Sequence, residues 1–487
     1  MAPDYYSLLD LPYDATPEEI RDAYRQLVRI YHPDANQNAA DGEAFIAIQN
    51  AYEVLSNPEK KAGYDASLPE SLRAGPEITT AVRFSRSVIP VFDEPQLVYA
   101  LVELICTADI NKKHTPPAHI CLVLDRSTSM QGLRMDMVKA SSANLVQQLR
   151  PQDLLSVVTF SDRAEVLLPP SRASSLSKSD HRISLLQAGG GTEILQGLSL
   201  GIEQLRKSAD SYNHHLLLLT DGHTYGDEQG CLALAREAAT EGISISVLGI
   251  GDDWNDELMD QIAGLSGGNA QLITSPADLD NFIADKLLQI ETLFARGLRF
   301  QFTTSPGVQL RYAFRMIPNI SPLDTTSPIL LGDIQYHRNI SLLLEFTIPP
   351  LKEEWAQLTL AKGSIWMEIP GRLTPKARIF LHLHRPVVLN PVDEPPPPML
   401  MEAMEKLTLY RMQERVRREV GSGQVDKATR HLHYLATHLV EKGDRELAHT
   451  VLIEAEHVQQ SRQLSGDGGK RIKYGTRALL LPPGSER

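Results

Sequence analysis

Five short apolar runs, "HICLVL", "DLLSVVTF", "HLLLLT", "ISISVLGI" and "AQLITS", constrain the fold of this chain more than any other feature. Their hydrophobicity is continuous, as in strands covered on both faces, and helical stretches such as "MDMVKASSANLVQQL" and "EILQGLSLGIEQLRK" separate them. Strand and helix in alternation predict a mostly parallel, doubly wound α/β sheet over residues 118–294.

The flanks have other textures, and the length of 487 residues leaves room for about three domains. Residues 1–67 read as a helical hairpin: Thr16, Pro17 and Glu19 are a capping box, and apolar residues from Ile20 to Tyr31 recur at helical spacing. Residues 68–77, "LPESLRAGPE", form a polar linker. Strand-like runs in 78–117 and 295–389, among them "QLVYALVELIC" and "NISLLLEFTI", predict one β-sandwich assembled from both segments. A proline-rich spacer at 390–398 leads to an α-helical hairpin or bundle at 399–462 and a Gly- and Ser-containing tail at 463–487. The fold class is therefore multi-domain: helical hairpin, α/β unit, β-sandwich and C-terminal helical segment.

Composition excludes several functions. A formal net charge of −13 opposes binding to nucleic acid or to an anionic membrane surface. The acidic start "MAPDYYSLLDLPYD" is not a signal peptide, and no run is long and apolar enough to span a bilayer. Cys106, Cys121 and Cys231 lack any CxxC spacing and read as buried hydrophobes in a reducing cytoplasm. There is no GxSxG elbow, and "GDGGKR" lacks the spacing of a phosphate-binding loop, so no enzyme activity is expected. The pairs His214/His215 and His431/His433 read as ordinary histidines, and Arg411, Arg415, Arg417 and Arg418 as a solvated or acid-pairing helix face.

Two constellations carry chemistry. In "LVLDRSTSM", Asp125, Ser127 and Ser129 follow an apolar strand, and in an open parallel sheet ligands bind beyond the carboxyl ends of the strands. Thr192 in "GGGTEI" and Asp221 in "LLLLTDG" add two more oxygen donors, a set that suits a hard cation, Mg2+ or Mn2+. This pattern resembles the metal-ion-dependent adhesion site of a von Willebrand factor A domain. The resemblance implies a cation bound by Asp125, Ser127, Ser129, Thr192 and Asp221, with an acidic side chain of a protein client completing its shell. Glu193 stands where related sequences often have Asp, and its role is left open. The flanking strands and the "MEKLTLYRMQERV" helix are also similar to bacterial proteins of the inter-alpha-trypsin-inhibitor-heavy-chain-like type.

The second constellation is "RIYHPDANQN", where His32, Pro33 and Asp34 leave a helix whose Arg21, Arg25 and Arg29 fall four apart on one face. "YYSLLDLPYDATPEEIRDAYRQLVRIYHPD" followed by "AFIAIQNAYEVLSNPEKKAGYD" resembles a J domain of DnaJ-type co-chaperones. The resemblance implies that His32, Pro33, Asp34 and the three arginines contact a DnaK-type heat-shock chaperone and trigger its ATP hydrolysis. A Gly/Phe-rich linker and zinc-ribbon cysteines are missing, so client binding must come from elsewhere in the chain. The expected function is a co-chaperone adaptor with a Mg2+-dependent client site; the alternative is a metal-dependent scaffold with a J-like docking module.

Overall fold

Helix α1 (Tyr5–Leu8) is a single turn capped by the Asp4 carboxylate, which accepts from Ser7 N at 3.0 Å. Before α2 (Pro17–Tyr31), Glu19 N donates to Thr16 Oγ1 at 3.3 Å and Thr16 N to the Glu19 carboxylate at 2.8 Å, the reciprocal capping box that the spacing predicts. α3 (Ala39–Leu55) packs against α2, with the Tyr24 and Tyr52 rings stacked 4.0 Å apart. Asn57 then caps α4 (Pro58–Ser67) through Glu59 N and Lys60 N. Tyr6, Leu9, Ile20, Ile48 and Leu55 fill the small core between these helices.

These coordinates come from a computed structural model that describes residues 4–31, 39–68, 75–110, 115–176, 181–209, 211–222, 226–251, 254–318, 320–372, 374–392, 394–441 and 443–479. His32, Pro33 and Asp34 lie outside the described residues, as does the side chain of Arg29.

Strands β1 (Ile78–Phe84), β2 (Ile89–Pro90) and β3 (Gln96–Cys106) begin a sandwich that the chain leaves and later re-enters. The α/β unit lies between. Its strands are β4 (Ala118–Asp125), β5 (Leu154–Phe160), β6 (Ala164–Arg172), β7 (Asn213–Thr220), β8 (Ser244–Ile250) and β9 (Ala270–Ile273). They form one sheet in the order β6-β5-β4-β7-β8-β9, parallel throughout except for the antiparallel edge strand β6. The sequence reading has no strand at β6, because Pro169 and Pro170 break its pattern; at a sheet edge the missing donors cost nothing. The helices are α5 (Leu133–Gln148), the one-turn α6 (His181–Ser184), α7 (Ile194–Leu205), α8 (Glu228–Thr240), α9 (Asp256–Leu265) and α10 (Pro276–Glu291). Separate apolar clusters bury the two faces of the sheet, one around Phe160 and Leu218 and the other around Leu122 and Phe282.

The sandwich resumes with β10 (Leu293–Thr303), β11 (Gln309–Ile317), β12 (Ser321–Leu323), β13 (Ile329–Gln335), β14 (Asn339–Ile348), β15 (Trp355–Glu368) and β16 (Lys376–Val388). One sheet is ordered β1-β3-β14-β11-β12 and the other β13-β10-β15-β16-β2. β3 and β14 pair antiparallel from Gln96 opposite Ile348 to Ile105 opposite Asn339, so the early strands do complete the later sandwich. Val102, Leu298, Phe300, Leu342 and Phe346 lie in its core.

Four helices follow: α11 (Pro398–Gly421), α12 (Val425–Glu441), α13 (Arg445–Ser461) and α14 (Gly466–Leu479). The last corrects the expectation of a tail from residue 463. Its glycines carry poor intrinsic helix propensity, but tertiary contacts outweigh it. Ser465 Oγ accepts from Gly468 N at 2.9 Å while Glu454 holds Ser465, and Lys473 reaches Asp256 and Asp260 of the α/β unit, both at 2.5 Å.

Candidate metal centre and the docked helical hairpin

The strand order places β4 beside β7, and the chain runs from β4 to β5 on one side and from β7 to β8 on the other, so a crevice opens beyond their carboxyl ends. Asp125 is the last residue of β4, and Asp221 directly follows β7. Both are buried, with 0% and 1% of their surface exposed.

Hydrogen bonds connect most of the expected donors. Ser127 N donates to Asp125 Oδ1 at 2.8 Å, the Ser127 and Ser129 hydroxyls lie 3.0 Å apart, and Ser129 Oγ donates to Asp221 Oδ1 at 2.7 Å. Thr192 arrives from the other side of the crevice. A Cβ placed on Gly222 would lie 3.2 Å from Thr192 Oγ1, so glycine at 222 lets the hydroxyl approach the loop that carries Asp221. Gly190, at φ +93°, makes the preceding bend possible; a Cβ there would come within 2.6 Å of Asp162 Oδ2. Asp162 Oδ1 accepts from Gly191 N at 2.8 Å and Glu193 N donates to Ser161 O at 2.9 Å, which pins the loop beside β5. The Glu193 side chain is exposed, at the N-cap of α7.

Sequence reasoning missed two residues here. Thr220 Oγ1 donates to Asp125 Oδ2 at 2.6 Å, and the Arg134 guanidinium donates to Asp221 Oδ2 and, at 3.3 Å, to Ser129 O. Thr220 closes a strand and Arg134 opens a helix, positions whose residue types carry no local signal of a site. Burial, with the Asp221 charge beside it, pushes the Asp125 carboxyl above the ordinary range even though Thr220 and Ser127 donate to it.

Two buried carboxylates and three hydroxyls make an all-oxygen donor set that fits a hard divalent cation. Among the described residues no cluster of three His, Cys, Asp or Glu side chains offers an alternative metal site.

At the other end of the chain, the hairpin of α2 and α3 is fastened to β16. Arg378 Nε donates to Asp14 Oδ2 at 2.9 Å and its terminal nitrogen to Glu19 Oε1 at 2.6 Å; the guanidinium sits 5.0 Å from the Trp366 ring centroid, and the side chain is only 7% exposed. Thr374 Oγ1 donates to Asp4 Oδ2 at 2.7 Å, and Lys376 pairs with Asp10. The contact uses the acidic beginning of the hairpin. Arg21 and Arg25, further along α2, remain exposed.

Comparison with known proteins agrees with this division. Residues 4–65 match the DnaJ domain family, 119–285 the von Willebrand factor type A domain family, and 398–482 the family described as Sll0103-like, C-terminal alpha-helical domain. The chain thus joins a DnaJ domain to a von Willebrand factor type A domain, with further sheets and a helical C-terminal region.

Among its relatives, the uncharacterized protein sll0103 of Synechocystis is 29% identical over 245 residues, 48% of this chain and 58% of that protein. Chaperone protein DnaJ of Dictyoglomus thermophilum is 55% identical over 62 residues, 13% of this chain and 16% of that one. The chain therefore spans less than two thirds of either relative. In fold it is similar to the von Willebrand factor type A protein of Catenulispora acidiphila, with a TM-score of 0.66 at 15% identity, covering 83% of this chain and 97% of that one.

Proposed function

We propose that this protein is a non-catalytic co-chaperone adaptor. Its DnaJ domain engages a DnaK-type heat-shock chaperone and stimulates that partner's ATPase, while its type A domain holds a protein client or assembly partner. The observation that carries the reading is the joining, in one chain, of a hydrogen-bonded oxygen set at a strand switch point and a DnaJ domain whose Arg21 and Arg25 are left exposed.

In this reading Asp125, Ser127, Ser129, Thr192 and Asp221 hold Mg2+, or Mn2+ in its place. The bound cation supplies a Lewis-acidic position that an acidic side chain of the partner completes. The chain's own residues do the positioning. Thr220 and Ser127 N fix the Asp125 carboxylate, and Ser129 orients Asp221. The partner carboxylate adds negative charge beside two buried carboxylates, which is tolerated only with a cation present, so binding is conditional on metal.

At the other end, Arg21 and Arg25 present positive charge to the chaperone, and His32, Pro33 and Asp34, next in the sequence after α2, join them in this reading. Net charge disfavours nucleic acid as a partner, and among the described residues no helix is long and apolar enough to cross a membrane. Cys106, Cys121 and Cys231 are free and buried, which fits the reducing cytoplasm where this reading places the protein. ATP hydrolysis by the chaperone with the full chain and its His32→Gln variant tests the first half. Retention of a carboxylate-presenting partner in Mg2+ but not in EDTA tests the second.

A further inference from the structure

The opposite end of the α/β unit from the metal centre meets the sandwich in a polar seam. Asn213 and His215 of β7, Lys286 of α10 and Arg315 of β11 line a recess of about 30 Å³ there. All four side chains are buried. Neither ring nitrogen of His215 nor Asn213 Nδ2 has a hydrogen-bond partner among the described residues, and for Lys286 the cost of burial outweighs the attraction of Asp333. Arg315 donates to two carbonyls, Leu331 O at 3.1 Å and Gly268 O at 3.2 Å. Among the described residues Asp333 is the one carboxylate lining the recess, and it already accepts from Gly297 N at 2.9 Å. The buried Lys286 ammonium and the two orphaned polar side chains, with a single engaged carboxylate nearby, form a recess in which an anion would find both charge and donors.

The recess adjoins, at Lys286, an open cavity of about 570 Å³ lined by α9, α10, the β11–β12 turn and α14. That volume lies within the range of about 300–1,000 Å³ typical of small-molecule sites. Phe282, Leu272, Ile320 and Tyr474 give it apolar wall, while Arg338 and Arg471 are offset by Asp260, Asp278 and Asp285.

We propose that this seam binds a small molecule with one anionic head group, carboxylate or phosphate, and a partly apolar body. The head enters the recess against Lys286, Arg315, His215 and Asn213, and the body occupies the outer cavity. Burial lowers the Lys286 ammonium to about 8, which leaves it charged at neutral pH and able to gain from an anion beside it. Because the walls belong to the α/β unit, the sandwich and α14, an occupant joins all three. The site stands apart from the metal centre and does not depend on the proposed function.

The test is calorimetric titration of the full chain in EDTA with octanoate, acetate and inorganic phosphate, each against chloride at equal ionic strength. Lys286→Met serves as the variant, since replacing a buried charge with an apolar stem preserves folding, which its melting curve in chloride checks. Octanoate is expected to bind more tightly than acetate, and Lys286→Met to weaken it by about tenfold or more. Phosphate binding in place of octanoate, lost in the same variant, supports the site with a phosphate head. Heats no different from chloride for every probe, or equal affinity in Lys286→Met, would overturn it.

Discussion

The Arg134 guanidinium donates to Asp221, whose other carboxylate oxygen accepts the Ser129 hydroxyl at 2.7 Å. A side-chain cation thus shares a carboxylate with the expected position of a metal ion. Arg134→Ala should tighten Mg2+ binding about fivefold, the equivalent of the ~1 kcal/mol that a partly exposed ion pair contributes. Calorimetric Mg2+ titration of the two proteins checks this; an unchanged or weaker affinity would show that Arg134 supports the site instead of competing for it.

Asp125→Asn separates charge from hydrogen bonding. The amide oxygen can still accept from Thr220 or Ser127, so the fold should survive, while Mg2+ affinity falls by about a hundredfold or more with the loss of one of two carboxylates. Asp125→Ala should also lose about 1–3 kcal/mol of stability, because it strands the Thr220 hydroxyl in a buried position. Denaturant melts alongside the titration distinguish the two effects.

Much of this site is legible in the sequence because four of its five donors stand at or just beyond a strand end. Continuous apolar runs announce β4 and β7, and Asp125, Ser127, Ser129 and Asp221 come next in the chain. Arg134 and Thr220 have no such marker. The β6 edge was hidden by Pro169 and Pro170, and α14 by its glycines, since in both cases tertiary surroundings decide what local propensity does not. Pairing of Asp14 with Arg378, 364 residues apart, leaves no periodicity to read.

That pairing carries its own prediction. Burial alone would raise the Glu19 carboxyl, but the Arg378 guanidinium and the Thr16 donors outweigh it and hold Glu19 below its ordinary value. A carboxyl lowered in the folded state contributes its stability above the unfolded value and loses it as pH falls through the folded one, so docking of the DnaJ domain should weaken below about pH 4. Arg378→Ala should weaken it at neutral pH too, by about 1–2 kcal/mol. Faster amide exchange in α1 and α2, with β4 and β7 unchanged, is the expected signature.

His119 sets a second pH dependence. It lies buried between Ser208 Oγ at 2.8 Å and Ser156 Oγ at 3.0 Å, and burial, reinforced by His214, lowers it to about 3. Between its ordinary value near 6.5 and about 3, the unfolded chain binds a proton that the folded chain does not. Stability therefore falls on acidification through that window, at up to about 1.4 kcal/mol per pH unit from this group. His119→Gln should flatten the decline, measured by urea unfolding at pH 7, 6 and 5.

The co-chaperone reading meets its most direct test in single-turnover ATP hydrolysis by a DnaK-type chaperone from the same organism, at constant Mg2+, with the full chain or its His32→Gln variant. The wild-type chain is expected to accelerate hydrolysis and the variant is not. No acceleration by the wild-type chain, or equal acceleration by both, would contradict it.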